Sequence, residues 1–230
     1  WSFYVNEAEK FDKALVESWK ADMEGIVIFA GLFSASVTAF IIEGYKTLSP
    51  DPSKMTITLL AQISSQLAAI SNGTNPNLLS PSFAPASFHP AASSIAVNTL
   101  WFFSLAFGLV CALGANMVQQ WARNYLQLIE RRPAPGKRAR IRSFLYEGIE
   151  TFRMKAVVEA IPALLHVSLF LFLIGLVIFL FPISLPIATT MLAILVLVVA
   201  MYMVVTILPI YYRHCPYRTP LSSPCWRIFR

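Results

Sequence analysis

Apolar positions in this chain come in long blocks bounded by charge, not in the short periodic stripes of a soluble domain. From Ala160 to Tyr212, fifty-three consecutive residues include no Asp, Glu, Lys or Arg, and Glu159 and Arg213 stand at the two edges. A hydrocarbon core about 30 Å thick takes roughly 20 apolar residues in a helix rising 1.5 Å per residue, so the run is too long for one crossing and suits two. Pro182 and Pro186, in Phe181-Pro-Ile-Ser-Leu-Pro186, supply the turn between them. Gly25 to Ile42 is a further charge-free block of eighteen residues. Met55 to Ala122 also lacks charge, but its first part is rich in Ser, Asn, Gln and Pro, so only Ile95 to Val118 reads as a crossing. The pattern predicts an all-α membrane protein with four spans at about 25–42, 95–118, 161–181 and 187–210. They are joined by an outer loop over 43–94 and a basic loop over 119–159, and a Pro-rich tail follows over 213–230.

Between the blocks the period changes to that of amphipathic helices. In residues 1–24, Val5, Ala8, Asp12, Leu15, Trp19 and Met23 recur at steps of three and four, an apolar stripe apart from Asp12. This reads as an interfacial helix leading into span one, with a helix that binds a cytosolic partner as the alternative. Met55 to Ile70 sets Ile57, Leu60, Ala61, Ile63 and Leu67 against Thr58, Gln62, Ser65 and Gln66, a short amphipathic helix. In the basic loop, Gln119 to Tyr125 continues span two past the interface, where Trp121 and Tyr125 suit an aromatic belt. After Pro133-Ala-Pro-Gly136 a second helix carries Ile141, Phe144, Leu145, Gly148, Ile149, Phe152 and Ala156 on one face.

Composition agrees with embedding: 57% of residues are hydrophobic and 13% charged, too few charges to cover a water-exposed surface. The net charge of +6 is distributed unevenly, and its basic residues flank spans instead of forming a soluble face interleaved with aromatics, which excludes nucleic acid as the expected partner. Nine of the eighteen Lys and Arg residues lie between spans two and three, and four more follow span four. Positive charge is retained on the cytoplasmic side, so both termini and the basic loop are expected in the cytosol. Arg138, Arg140, Arg142, Arg153 and Lys155 then face anionic lipid headgroups, each worth about 1 kcal/mol at the surface. The sequon Asn72-Gly73-Thr74 falls in the loop assigned to the other side, which fits glycosylation at Asn72 and a location in the secretory pathway or plasma membrane.

Small residues recur every four positions as Gly31, Ala35 and Ala39 in span one and as Ser104, Gly108 and Ala112 in span two. Such stripes let backbones approach closely, either within one subunit or between subunits. Chemistry at membrane depth is sparse. His166 lies near the cytosolic end of span three with Glu159 two turns before it, an intramembrane polar site by position. The alternative is an ordinary helix contact. His214, Cys215 and Cys225 lack a fourth ligand for zinc, and no cofactor is implied.

Several longer segments carry a family resemblance: Trp19-Lys-Ala-Asp-Met23, Gly31-Leu-Phe-Ser-Ala-Ser-Val-Thr-Ala-Phe40, Asn98-Thr-Leu-Trp-Phe102, Gln119-Gln-Trp-Ala-Arg123, Ile161-Pro-Ala-Leu-Leu-His166 and Cys215-Pro-Tyr-Arg-Thr-Pro-Leu-Ser222. In this order they resemble a multi-pass membrane family abundant in mushroom-forming fungi and catalogued as a domain of unknown function. The resemblance implies a fungal membrane protein with this span order and brings no activity or catalytic residue. The residues point first to a non-enzymatic, self-associating structural or membrane-organising protein. An oligomeric channel with Ser34, Ser36, Thr38, Asn98 and Asn116 towards a lumen is the second reading, and a lipid-modifying enzyme using His166 and Glu159 the third.

Overall fold

A computed structural model of the chain describes residues 2–50, 52–71, 89–130 and 135–211, and among these there is no strand. Six α-helices follow one another: α1 (Ser2–Tyr45), α2 (Pro52–Ser71), α3 (Ala92–Glu130), α4 (Pro135–Thr151), α5 (Met154–Leu180) and α6 (Leu185–Tyr211). Four of them, α1, α3, α5 and α6, are long and apolar enough to cross a membrane. The chain is therefore an all-α membrane protein.

The expected interfacial helix over 1–24 does not exist as a separate element. Helix α1 runs unbroken for 44 residues, about 66 Å, through Gly25. A single glycine inside a helix costs only about 1 kcal/mol, too little to break one that is packed along its length. Because the helix is continuous, its first half cannot lie in the plane of the interface while its second half spans; it projects beyond the membrane as a stalk. Helix α3, 39 residues and about 58 Å, runs antiparallel to it and extends past the membrane at the same end. Trp19 stacks on Trp121 with ring centroids 6.2 Å apart, and Trp121 on Tyr125 at 5.2 Å. Tyr125 is buried and Trp121 half-buried between the two helices, so neither serves the aromatic belt.

The packing period is seven. On α3, Val97, Trp101, Ser104, Gly108, Cys111, Ala115, Val118, Ala122 and Tyr125 are buried at alternating steps of four and three, with Asn98 buried beside Val97. Helix α1 answers with Asp12, Val16, Trp19, Met23, Ala30, Phe33, Val37, Ile41 and Gly44, one half-buried step at Ile26 intervening. Helix α5 continues with Val158, Ile161, Leu165, Ser168, Phe172 and Gly175. Alternation of three and four is the signature of left-handed coiled packing. Three spans thus form one seam with α3 between α1 and α5, while among the described residues α6 packs only against α5.

Helix α3 brings small residues to the middle of the seam, Ser104, Gly108, Cys111 and Ala115, beside which stands the fully buried Trp101. Two glycines make room for it. A Cβ on Gly175 would stand 2.7 Å from Trp101 Nε1, and one on Gly44 would stand 2.8 Å from its Cζ3. Phe40, Phe172 and Phe179 enclose the indole at centroid distances of 5.7, 6.3 and 5.3 Å.

At the other connections, α5 stops at the turn containing Pro182, and Pro186 sits in the first turn of α6, where a missing N–H is tolerated. Helices α4 and α5 are separated at Arg153, whose φ of 48° is the left-handed conformation. This break interrupts the apolar face read continuously from Ile141 to Ala156. Ile149 turns towards the stalk, but Phe144 and Phe152 are exposed, so α4 is rotated from the orientation its apolar pattern predicts.

Replacing Gly175 by Ala forces the Trp101 clasp apart and should lower stability by about 1–3 kcal/mol, as overpacking does. Gly31→Ala, where nothing lies within 4 Å, should be neutral or slightly stabilising. Thermal unfolding of the two purified variants in detergent compares them directly.

Candidate functional site

Helix association within lipid has no hydrophobic drive, so the polar side chains of the seam carry particular weight. Ser104 Oγ donates to the Ser168 carbonyl at 2.8 Å, and Ser168 Oγ returns a bond to the Ser104 carbonyl. Trp101 Nε1 donates to the Phe172 carbonyl at 3.3 Å, and Cys111 Sγ to the Ile161 carbonyl at 3.4 Å. Near the opposite end from the stalk, Asn98 Nδ2 donates to the carbonyls of Gly44, at 3.1 Å, and Ser94, at 2.8 Å. A bond of this kind contributes on average about 0.6 kcal/mol in a membrane, so close packing carries most of the association and the bonds fix its register.

The two small-residue stripes have different fates. Ser104, Gly108 and Ala112 face inward, and a Cβ on Gly108 would meet Ser34, Phe33 and Ser168 at 3.5–3.7 Å. Gly31, Ala35 and Ala39 are all exposed on the opposite side of α1 from Ala30, Phe33 and Val37. Ser36 and Thr38, near that stripe, donate their hydroxyls to the Leu32 and Ser34 carbonyls of their own helix at 3.1 and 2.7 Å.

The second polar centre lies in the stalk. Asp12, at 2% side-chain exposure, receives both Nε and Nη2 of Arg142, the latter at 3.1 Å. Such a forked pair is geometrically specific and stronger than a single contact. Tyr125 from α3 is buried beside them, within the field of both charges. The pair joins α1, α3 and α4. Asp12 was visible in the sequence as the polar exception on an apolar stripe, but its partner, 130 residues away, was one of nine basic residues in its loop. Arg142 is thereby spent on Asp12 and is not turned to headgroups. Asp12 precedes Gly25 by thirteen residues, roughly 20 Å along α1, so the clamp stands beyond a headgroup layer only about 5–8 Å deep. Arg140, Arg153 and Lys155 are exposed, and the side chain of Arg138 lies outside what is described.

The third is His166. Its ring meets Tyr202 of α6 at a centroid distance of 5.4 Å, and Phe170 meets the same tyrosine at 5.7 Å. His166 Nδ1 and the Tyr202 hydroxyl are both buried without a partner. Half-buried Glu159 makes no hydrogen bond to His166. Among the described residues no three His, Cys, Asp or Glu side chains gather where they could hold a metal ion. Asn72, His214, Cys215, Cys225 and the tail fall outside the described residues.

Long apolar helices joined by a closely packed seam define a multi-span helical membrane protein. The chain matches the family of unknown function DUF6535 over residues 1–182, and it belongs to that family. No curated protein and no solved structure matches it. The matched region ends at Pro182, the turn after α5, and so contains the whole three-span seam with its stalk.

The clamp yields an asymmetric expectation. Arg142→Ala leaves the Asp12 carboxylate buried and unpaired and should cost about 3–5 kcal/mol. Asp12→Ala should cost less, because Arg142 is 19% exposed and its guanidinium reaches water. Thermal unfolding of both variants, with limited proteolysis around α4, reads the difference; equal losses would contradict the burial argument.

Proposed function

We propose that the protein is a non-enzymatic, self-associating membrane-organising component. The observation that carries this reading is the exposed stripe Gly31, Ala35 and Ala39. It is a close-approach surface on the longest of the described helices, and among the described residues no other helix lies within 4 Å of the position a Gly31 Cβ would take. Side chains that permit tight helix contact, yet make none within their own chain, fit a second copy better than lipid, which gains nothing from a missing Cβ. Inside the chain the seam polar groups serve helix–helix bonds, which supports a structural role over transport or catalysis. Asn98 spends its amide on Gly44 and Ser94, weakening a pore lined by it, and His166 meets Tyr202 instead of Glu159.

In this reading the stalk, the basic loop and both termini are cytosolic, the protein belongs to the secretory pathway or plasma membrane, and its origin is fungal, as the resemblance implies. Exposed Arg153 and Lys155, at the start of α5 next to its span, are the residues best placed for anionic headgroups. Arg140, close to the clamp, stands further from the bilayer.

Detergent extraction followed by mass measurement tests the proposal. The native chain should run as an assembly of more than one copy, and the triple variant Gly31→Leu, Ala35→Leu, Ala39→Leu should fall to a monomer of unchanged thermal stability. A native particle that is strictly monomeric would sink the idea.

A further inference from the structure

Helix α2 carries its apolar side the wrong way round for a helix folded onto its own protein. At 100° per residue, Leu59, Leu60, Ile63, Leu67 and Ile70 fall within about 100° of arc. All five are exposed, from 40% at Leu59 to 63% at Ile70. Thr56, the one polar residue in that arc, donates its hydroxyl to the Pro52 carbonyl at 2.9 Å. The covered positions lie to one side of that arc, where Ala69 is buried and Gln62 and Gln66 are half-buried. Among the described residues α2 packs against none of the other helices. An apolar face left exposed along its whole length calls for an apolar environment outside the chain.

Position says which one. Glu43 and Lys46, paired at 2.6 Å and exposed, mark where α1 leaves the hydrocarbon, and α1 ends at Tyr45. Seven residue steps later, at most about 25 Å even if fully extended, α2 begins at Pro52. The helix is therefore tethered at the membrane face opposite the stalk, with the bilayer within reach. From Met55 to Ser71 it has no charged side chain, and Thr58, Gln62, Ser65 and Gln66 form its polar side. Interfacial helices usually combine apolar insertion with attraction of Lys and Arg to anionic lipid. Here the second contribution is reduced to one residue, Lys54 in the first turn of α2.

We infer that α2 is an interfacial helix that inserts its Leu59–Ile70 face into the leaflet opposite the stalk and reads the looseness of lipid packing, not lipid charge. Insertion depends on gaps between headgroups that expose acyl chains, and these grow with curvature and unsaturation. The inference rests on the membrane embedding of the spans and is independent of self-association. A wedge in one leaflet, opposite a stalk in the other, biases the membrane around each copy towards curvature.

The test uses the full chain with Cys215 and Cys225 replaced by serine, Cys111 being buried, and a single environment-sensitive fluorophore attached through Ile63→Cys or, as the comparison on the exposed opposite side, Ser65→Cys. The labelled protein is reconstituted into phosphatidylcholine vesicles with dioleoyl or more saturated chains, with and without phosphatidylserine, and with acyl-brominated lipid as quencher. The expected result is blue-shifted emission at position 63 that is quenched by brominated lipid, weakened by saturated chains and indifferent to phosphatidylserine, with little quenching at position 65. Water-like emission at 63 would overturn the inference. Blue-shifted emission that brominated lipid does not quench would mean that protein, such as a second copy, covers the face. Quenching that requires phosphatidylserine would overturn the charge-independent reading.

Discussion

The rest of the structure depends on one face of α3 serving two neighbours. Helices α1 and α5 both pack along α3, and neither has an extensive contact that bypasses it. In lipid, separating two apolar helices exposes them to a solvent as apolar as they are, so only close approach and interhelical bonds hold them together. A seven-residue alternation of Ser104, Gly108, Cys111, Ala115 and Ala122 lets both neighbours come close, and Ser104 and Cys111 supply bonds to α5. Trp101 tests the rule from the other side. A large residue is accommodated only because Gly175 on α5 and Gly44 on α1 stand opposite it.

The same repeat continues past the membrane, where water restores the hydrophobic drive and the residue types change accordingly. Val16, Trp19, Met23, Val118 and Trp121 fill the junction and the stalk with bulkier side chains. There the seam also admits a charge. Asp12 occupies a heptad position that an apolar residue would fill, and the carboxylate persists because Arg142 reaches it from α4. Burying a charge without its partner is costly, so the pair does less to stabilise the stalk than to specify where α4 must sit. Its position beside the stalk makes α4 a brace between α1 and α5 and takes its central part away from the lipid surface.

Four spans were legible in the sequence because charge-free runs of the right length leave few alternatives in a bilayer. The seam was not. A search for small residues four apart finds Gly31, Ala35, Ala39 and Ser104, Gly108, Ala112 with equal ease, yet only the second set is packed within the chain. The difference lies in the seven-residue context, in which Ser104 and Gly108 belong to a buried series and Gly31 falls one position beside Ala30. Asp12 was conspicuous on its stripe, but nothing local names Arg142 among its basic neighbours. Helix α4 misled for a related reason: its pattern has one apolar face, and tertiary contact chose an edge, with Arg142 and Ile149 inward and Phe144 outward.

Helix α6 shows what happens where the seam stops. It touches only α5, and most of its large side chains face outward. Its contact through Tyr202 leaves two buried polar atoms without partners, on Tyr202 and on His166. Unpaired polar groups in an apolar surrounding cost free energy, and the α1–α3–α5 seam also has them at Ser34 Oγ, Asn98 Oδ1 and the Tyr125 hydroxyl, but there the Ser104 and Ser168 hydroxyls, the Trp101 indole and the Asn98 amide bond between helices. The four-span body is therefore three spans locked by a repeat and one held by apolar contact alone. The family match, which runs to Pro182 and ends before α6, divides the chain at the same place. By this argument α6 is the span most easily displaced from the bundle, since among the described residues it contacts one helix where α3 contacts two spans, and moving it opens two polar groups to whatever takes its place.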